Sequence, residues 1–136
     1  MNPPARIYLL DVSALLALGV ADHEFHGRVA RWVSSTSSSH LATCSITELG
    51  FVRVLAQAPA YGFTVTEACA LLLRLKRGAA DRFTFIPDAH GIAQLPAWVK
   101  APKQITDGHL SELANAHGGI LATLDQKIPR SYVIPK

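Results

Sequence analysis

The sequence predicts an α/β fold with a short, mostly parallel central sheet, and three observations carry the prediction. Short apolar runs of strand length recur along the chain; most are followed by segments whose apolar residues repeat at helical spacing; and acids stand at the junctions between the two. Four or five such strands alternating with helices call for a parallel sheet covered on both faces. With 136 residues, 49% of them hydrophobic, the chain is expected to be a single domain spanning residues 1–136 that buries its own core.

Ile7 to Leu10 is the first apolar run, ending at Asp11, and a helical run from Ser13 to Leu18 follows at once. From His23 to Val33, Phe25, Val29, Trp32 and Val33 form the stripe of an amphipathic helix, closed by the serine-rich stretch Ser34 to Ser39. That stretch is short enough to be a connecting loop, so no domain boundary is placed there. His40 to Cys44 is the second strand, and Ser45 opens a helix carrying Ile46, Leu49, Val52 and Leu55, closed by Pro59 and Gly62. Thr64 with Glu67 three residues on fits a capping box. The helix it starts runs through Leu71, Leu72, Leu73 and Leu75; being apolar nearly all round, it is expected to be covered on two sides.

Arg82 to Ile86 alternates as a strand that Pro87 stops, and a short helix is expected before Pro96. Ile105 and Thr106 introduce a helix through Leu110, Leu113 and Ala114. Gly118 and Gly119 terminate it, Ile120 to Leu124 is the next strand, and Tyr132 to Ile134 is the last. No internal repeat is visible.

Cys44 and Cys69 have apolar surroundings and no zinc-like spacing, so both are read as buried thiols in a reducing compartment. Asp11 interrupts the first apolar run long before a signal peptide or membrane span is complete, which points to a cytoplasmic protein without a membrane segment.

Six of the ten acids (Asp22, Glu24, Glu67, Asp81, Asp88 and Glu112) stand in polar or helix-start settings that suit a solvated surface. The other four are flanked by apolar residues at strand-to-helix junctions: Asp11 in LLDVS, Glu48 in SITEL, Asp107 in ITDGH and Asp125 in ATLD. In a parallel sheet such junctions share the edge at the strands' carboxyl ends, where α/β folds bind ligands. Singly, each acid has a local explanation. Asp11 serves as a helix N-cap, Glu48 completes a capping box with Ser45, Asp107 favours a helix N-terminus and Asp125 sits in a turn. Together they need a common cause, because four unrelated caps need not gather at one edge. Asp107 also shares a helical face with Leu110 and Ala114, where an unpaired carboxylate is costly.

Converging carboxylates without His or Cys ligands favour a hard cation, Mg²⁺ with Mn²⁺ as substitute, and one ion or two would serve. Such a site suits attack by water on a phosphodiester. Ser13 and Thr123 stand two residues from Asp11 and Asp125 and are candidates to support them through hydroxyl hydrogen bonds, with a helix-start serine and an ordinary strand threonine as the plain alternatives. With the four acids set aside, thirteen Lys and Arg face six acids, a balance that suits a nucleic-acid backbone. Arg74, Lys76, Arg77 and Arg82 cluster, as do Lys127 and Arg130. Arg53, on the Glu48 helix, is the candidate for a substrate phosphate. His109 lies near Asp107 but on another helical face, so it is not favoured as a general base.

The stretches YLLDVSALLAL, CSITELGFVRVL and ITDGHLSELANAHGGILATLD resemble the PIN-domain nucleases, and within them the VapC-type toxins of bacterial toxin–antitoxin pairs. The resemblance covers nearly the whole chain, with residues 58–103 matching in outline. It implies a three-layer α/β/α domain, Mg²⁺-dependent endoribonuclease activity, a homodimer, and neutralisation by a small antitoxin. By the same resemblance Asp11, Glu48, Asp107 and Asp125 are the catalytic, metal-binding acids, with Ser13 and Thr123 at supporting polar positions. Gln126 and Lys127 stand where some relatives carry a further acid, which leaves the second metal open.

Two other readings compete. Phosphoryl transfer through an aspartyl phosphate also uses an aspartate ending a first strand, but it pairs a second acid two residues on, where Ser13 stands. A binding or assembly protein that keeps the fold with weak turnover would carry the same acids.

Overall fold

A computed structural model describes residues 6–36, 38–79 and 82–136. Asp81 and Ser37, read above as a solvated acid and a loop residue, lie outside the described residues. The strands are β1 (Ile7–Leu10), β2 (His40–Thr43), β3 (Phe83–Phe85), β4 (Gly119–Thr123) and β5 (Tyr132–Val133). They form one sheet in the order β3-β2-β1-β4-β5, and every pairing is parallel rather than most of them.

The helices are α1 (Val12–Gly19), α2 (His26–Ser35), α3 (Ser45–Gln57), α4 (Val65–Gly78) and α5 (Ile105–Ala116). A single 3₁₀ turn, Ile92–Gln94, takes the place of the short helix expected before Pro96, and a second, Pro102–Gln104, leads into α5. Alternation along β1 sets the layers. Tyr8 and Leu10 point into a core with α1 to α4 through Leu15, Val29, Phe51 and Leu72, while Leu9 joins Leu110, Leu113 and Leu121 beneath α5. The result is a three-layer α/β/α fold with both faces of the central strands buried. Fully burying a Leu or Phe is worth roughly 1.5–3 kcal/mol, so these two cores supply most of what opposes chain entropy.

Local chemistry explains the boundaries. The box at α4 is formed as its spacing predicts: the Glu67 N–H donates to the Thr64 hydroxyl at 3.0 Å and the Thr64 N–H to the Glu67 carboxylate at 2.9 Å. At α3 the cap falls one residue earlier, with the Cys44 N–H donating to the Thr47 hydroxyl at 3.0 Å. Gly118, with φ near +72°, ends α5 in the left-handed region. Arg82 donates to the carbonyls of Val33, Thr36 and Ser39, tying the serine-rich loop to the start of β3.

Two expectations about α4 do not hold. Leu73 is 54% exposed and only Ala68 and Leu72 are buried, so the helix is covered on one side; and Cys69, on its outer face, is exposed whereas Cys44 is buried. No helix among the described residues is long and apolar enough to cross a membrane.

Candidate active site

Because all strands run the same way, the residues that follow β1 and β4 emerge at one edge of the sheet. Asp11 leaves β1, caps α1 by accepting the Ala14 N–H at 2.8 Å, and is nearly buried. Its second carboxylate oxygen accepts the Thr123 hydroxyl at 2.5 Å, and that hydroxyl oxygen in turn accepts the Asp125 N–H at 3.0 Å. Thr123, wholly buried at the end of β4, thus fixes Asp11 and the backbone of Asp125 together. Asp125 closes its own turn by accepting the Lys127 N–H at 2.8 Å.

Asp107 enters from the first turn of α5. Gly108 beside it lets the Pro96–Val99 loop close against the helix, since a Cβ there would stand 2.3 Å from a Val99 methyl.

Asp11, Asp107 and Asp125 line one crevice of about 500 Å³ together with Ser13 and Thr123. Among the described residues none of the three forms an ion pair. Burial pushes the Asp11 carboxyl up from 3.8 to about 6, against the hydrogen bonds from Thr123 and Ala14 that pull it down, and with Asp107 and Asp125 adding repulsion. Burial also raises Asp107, and the charge of Asp125 adds to it. Uncompensated negative charge in a half-enclosed crevice is charge that a cation could neutralise. As placed, no three of the His, Cys, Asp and Glu side chains among the described residues are drawn together tightly enough to ligate an ion.

Glu48 is held differently. It does not line the crevice; its carboxylate accepts the Thr43 hydroxyl at 2.6 Å and the Lys76 ammonium at 2.5 Å. The capping-box explanation of Glu48 fails, because Cys44 and Thr47 make the cap. Arg53 lies on a different groove, between α3 and α4, with Leu49, Val52, Val65 and Cys69. His109 is committed to Asp88 through its Nε2.

Four residues of this region, His23, Glu24, Trp98 and Lys103, are not marked as site residues by the sequence. His23 and Glu24 sit on the crevice wall, brought there by the turn between α1 and α2. Lys103 joins Trp98 and Lys127 in an adjoining cavity that shares Asp107 and Asp125 with the crevice. The signal available was only that Lys103 precedes the Asp107 helix by one turn.

An all-parallel α/β fold with three aspartates lining one crevice at the carboxyl edge has its acids where domains of this class place their ligand sites. The PIN domain profile matches residues 8–133, and the chain belongs to the PIN-domain family. Among similar proteins of Mycobacterium tuberculosis (strain CDC 1551 / Oshkosh), ribonuclease VapC44 is 39% identical over 132 residues, covering 92% of this chain and 90% of the relative. Ribonuclease VapC39 is 35% identical over 127 residues, covering 90% and 91%. Ribonuclease VapC29 is 36% identical over 118 residues, covering 86% and 84%.

Proposed function

We propose that the chain is a divalent-metal-dependent endoribonuclease acting as the toxin of a toxin–antitoxin pair. The observation that carries the reading is the crevice of Asp11, Asp107 and Asp125, three carboxylates with no ion pair among the described residues, on a PIN-family fold whose relatives are named ribonucleases. Mg²⁺ is the proposed resident ion, with Mn²⁺ as substitute, because the donors are all oxygen. Asp11, Asp107 and Asp125 would hold it, with Glu48 as a fourth ligand only when released from Lys76. When bound, such an ion supplies Lewis acidity at a phosphoryl oxygen and a water acidified for attack.

The chain's own residues do the rest. Thr123 holds Asp11 in one orientation, so the carboxylate does not reorganise as charge develops. Ser13, on the same wall, would hold water with its hydroxyl. Lys103 and Lys127, in the cavity that shares Asp107 and Asp125, are placed to take the phosphates flanking the scissile bond, and Trp98 offers its exposed part to an unpaired base. Lys127 stands where a further acid would build a second metal site, so this edge serves the substrate's charge.

The partners that go with this reading are an RNA, a second copy of the chain, and a small antitoxin that inserts a basic side chain among the unpaired aspartates. The purified chain should cleave single-stranded RNA with Mg²⁺ or Mn²⁺ and stop when EDTA is in excess. Undiminished cleavage in EDTA would sink the mechanism, and no cleavage under any metal would favour a binding protein that retains the fold.

A further inference from the structure

Of the four junction acids, only Glu48 has a cationic partner among the described residues. Lys76 lies in the last turn of α4, 28 residues along the chain from Glu48, and its ammonium donates to the Glu48 carboxylate at 2.5 Å. The two side chains are 23% and 25% exposed, so the pair is more sheltered than a surface ion pair. Thr43, at the end of β2, donates to the same carboxylate oxygen. Lys76 also sits over the ring of Phe85, 5.6 Å from its centroid, at the end of β3. Released from Glu48, the ammonium keeps that aromatic face, and the negative end of the α4 dipole favours it there.

We propose that Lys76 is a positioning residue that competes with divalent cations for Glu48, holding the fourth acid out of the metal site until an ion displaces it. The inference rests on the divalent-metal reading of the crevice. A carboxylate whose charge is already met gains less from a cation than one whose charge is not, so the pair weakens ion binding at Glu48 and leaves the three aspartates to bind first. The freed ammonium stays over Phe85 at the end of β3, on the same sheet edge, where a polyanion can reach it.

The test is Mn²⁺ binding to the intact, metal-stripped chain without RNA, followed by the paramagnetic resonance of free Mn²⁺. Lys76→Met should tighten the apparent Mn²⁺ dissociation constant about fivefold, the scale of one sheltered ion pair, and Lys76→Arg, which keeps the pair, should leave it near the parent value. In a Glu48→Gln background Lys76→Met should have no such effect. Arg74→Met removes a charge from the exposed face of α4 and serves as the control for general electrostatics. Unchanged or weaker binding in Lys76→Met overturns the proposal, as does equal tightening by Arg74→Met or in the Glu48→Gln background. A parent that binds no Mn²⁺ overturns the metal reading itself, and this proposal with it.

Discussion

Asp11→Asn should stabilise the metal-free protein at neutral pH and leave it nearly unchanged at pH 4. Asp11 is 7% exposed, and burial raises its carboxyl from 3.8 to about 6. Because the folded chain holds this proton more tightly than the unfolded chain, the penalty is absent below about pH 4. It grows as pH rises toward 6 and is level above that. Two units of pKa correspond to about 3 kcal/mol, an upper bound because the crevice can relax or admit water. Asparagine keeps the N-cap to Ala14 through its one oxygen, while its NH₂ faces the Thr123 hydroxyl oxygen and donates to it instead of accepting, so the substitution removes charge without removing the cap. Urea unfolding in EDTA, followed by the fluorescence of Trp32 and Trp98, gives the comparison at pH 4 and pH 7.5. The variant should exceed the parent by about 2–3 kcal/mol at pH 7.5 and match it at pH 4, while losing RNA cleavage altogether. Destabilisation at pH 7.5 would mean that the ionised carboxylate stabilises the fold as a cap, and the idea of a charge-strained crevice would be refuted.

Three further outcomes follow from the same contacts. Thr123→Val removes the hydroxyl between Asp11 and Asp125 at nearly constant volume; it should cost about 1–3 kcal/mol by urea unfolding and push the Asp11 carboxyl higher still. Arg82→Met breaks three bonds to carbonyls and should cost about 3 kcal/mol, yet leave cleavage per folded molecule at the parent level. If activity falls with Arg82→Met while folding is intact, that arginine contacts RNA. Lys103→Met with Lys127→Met should raise the KM for RNA and flatten its salt dependence with little change in kcat, measured from 50 to 200 mM salt.

Much of the fold is legible because its signals are local. The run before Asp11, the stripe Val29–Trp32–Val33, the box Thr64–Glu67 and the glycines after α5 each depend on neighbours within one or two turns. Asp11 and Asp125 are legible for a related reason, since parallel topology sends the ends of β1 and β4 to one edge once the strands are recognised, whereas Asp107 reaches that edge from the first turn of α5 and not from a strand. What the sequence hides are pairings across long separations. Nothing near Glu48 marks Lys76 as its partner, nothing near Arg82 marks three carbonyls more than forty residues back, and Glu24 reaches the crevice only because α2 begins at His26 and leaves a turn before it. The exposed face of α4 was misjudged because an all-apolar helix looks the same in sequence whether or not a second layer covers it.

Melting of the metal-free chain with and without Mg²⁺, in the parent and in Asp107→Asn, tests the carboxylate site most directly. Binding to the folded state alone contributes about 2.7 kcal/mol at a hundredfold excess over Kd, which for a chain of this size is on the order of 8 °C in Tm. The parent should show that rise, and Asp107→Asn should show little of it while melting no lower than the parent in EDTA. A parent Tm indifferent to Mg²⁺, or an equal rise in Asp107→Asn accompanied by a loss of about 1 kcal/mol without metal, would make Asp107 a helix-start residue and contradict the metal site.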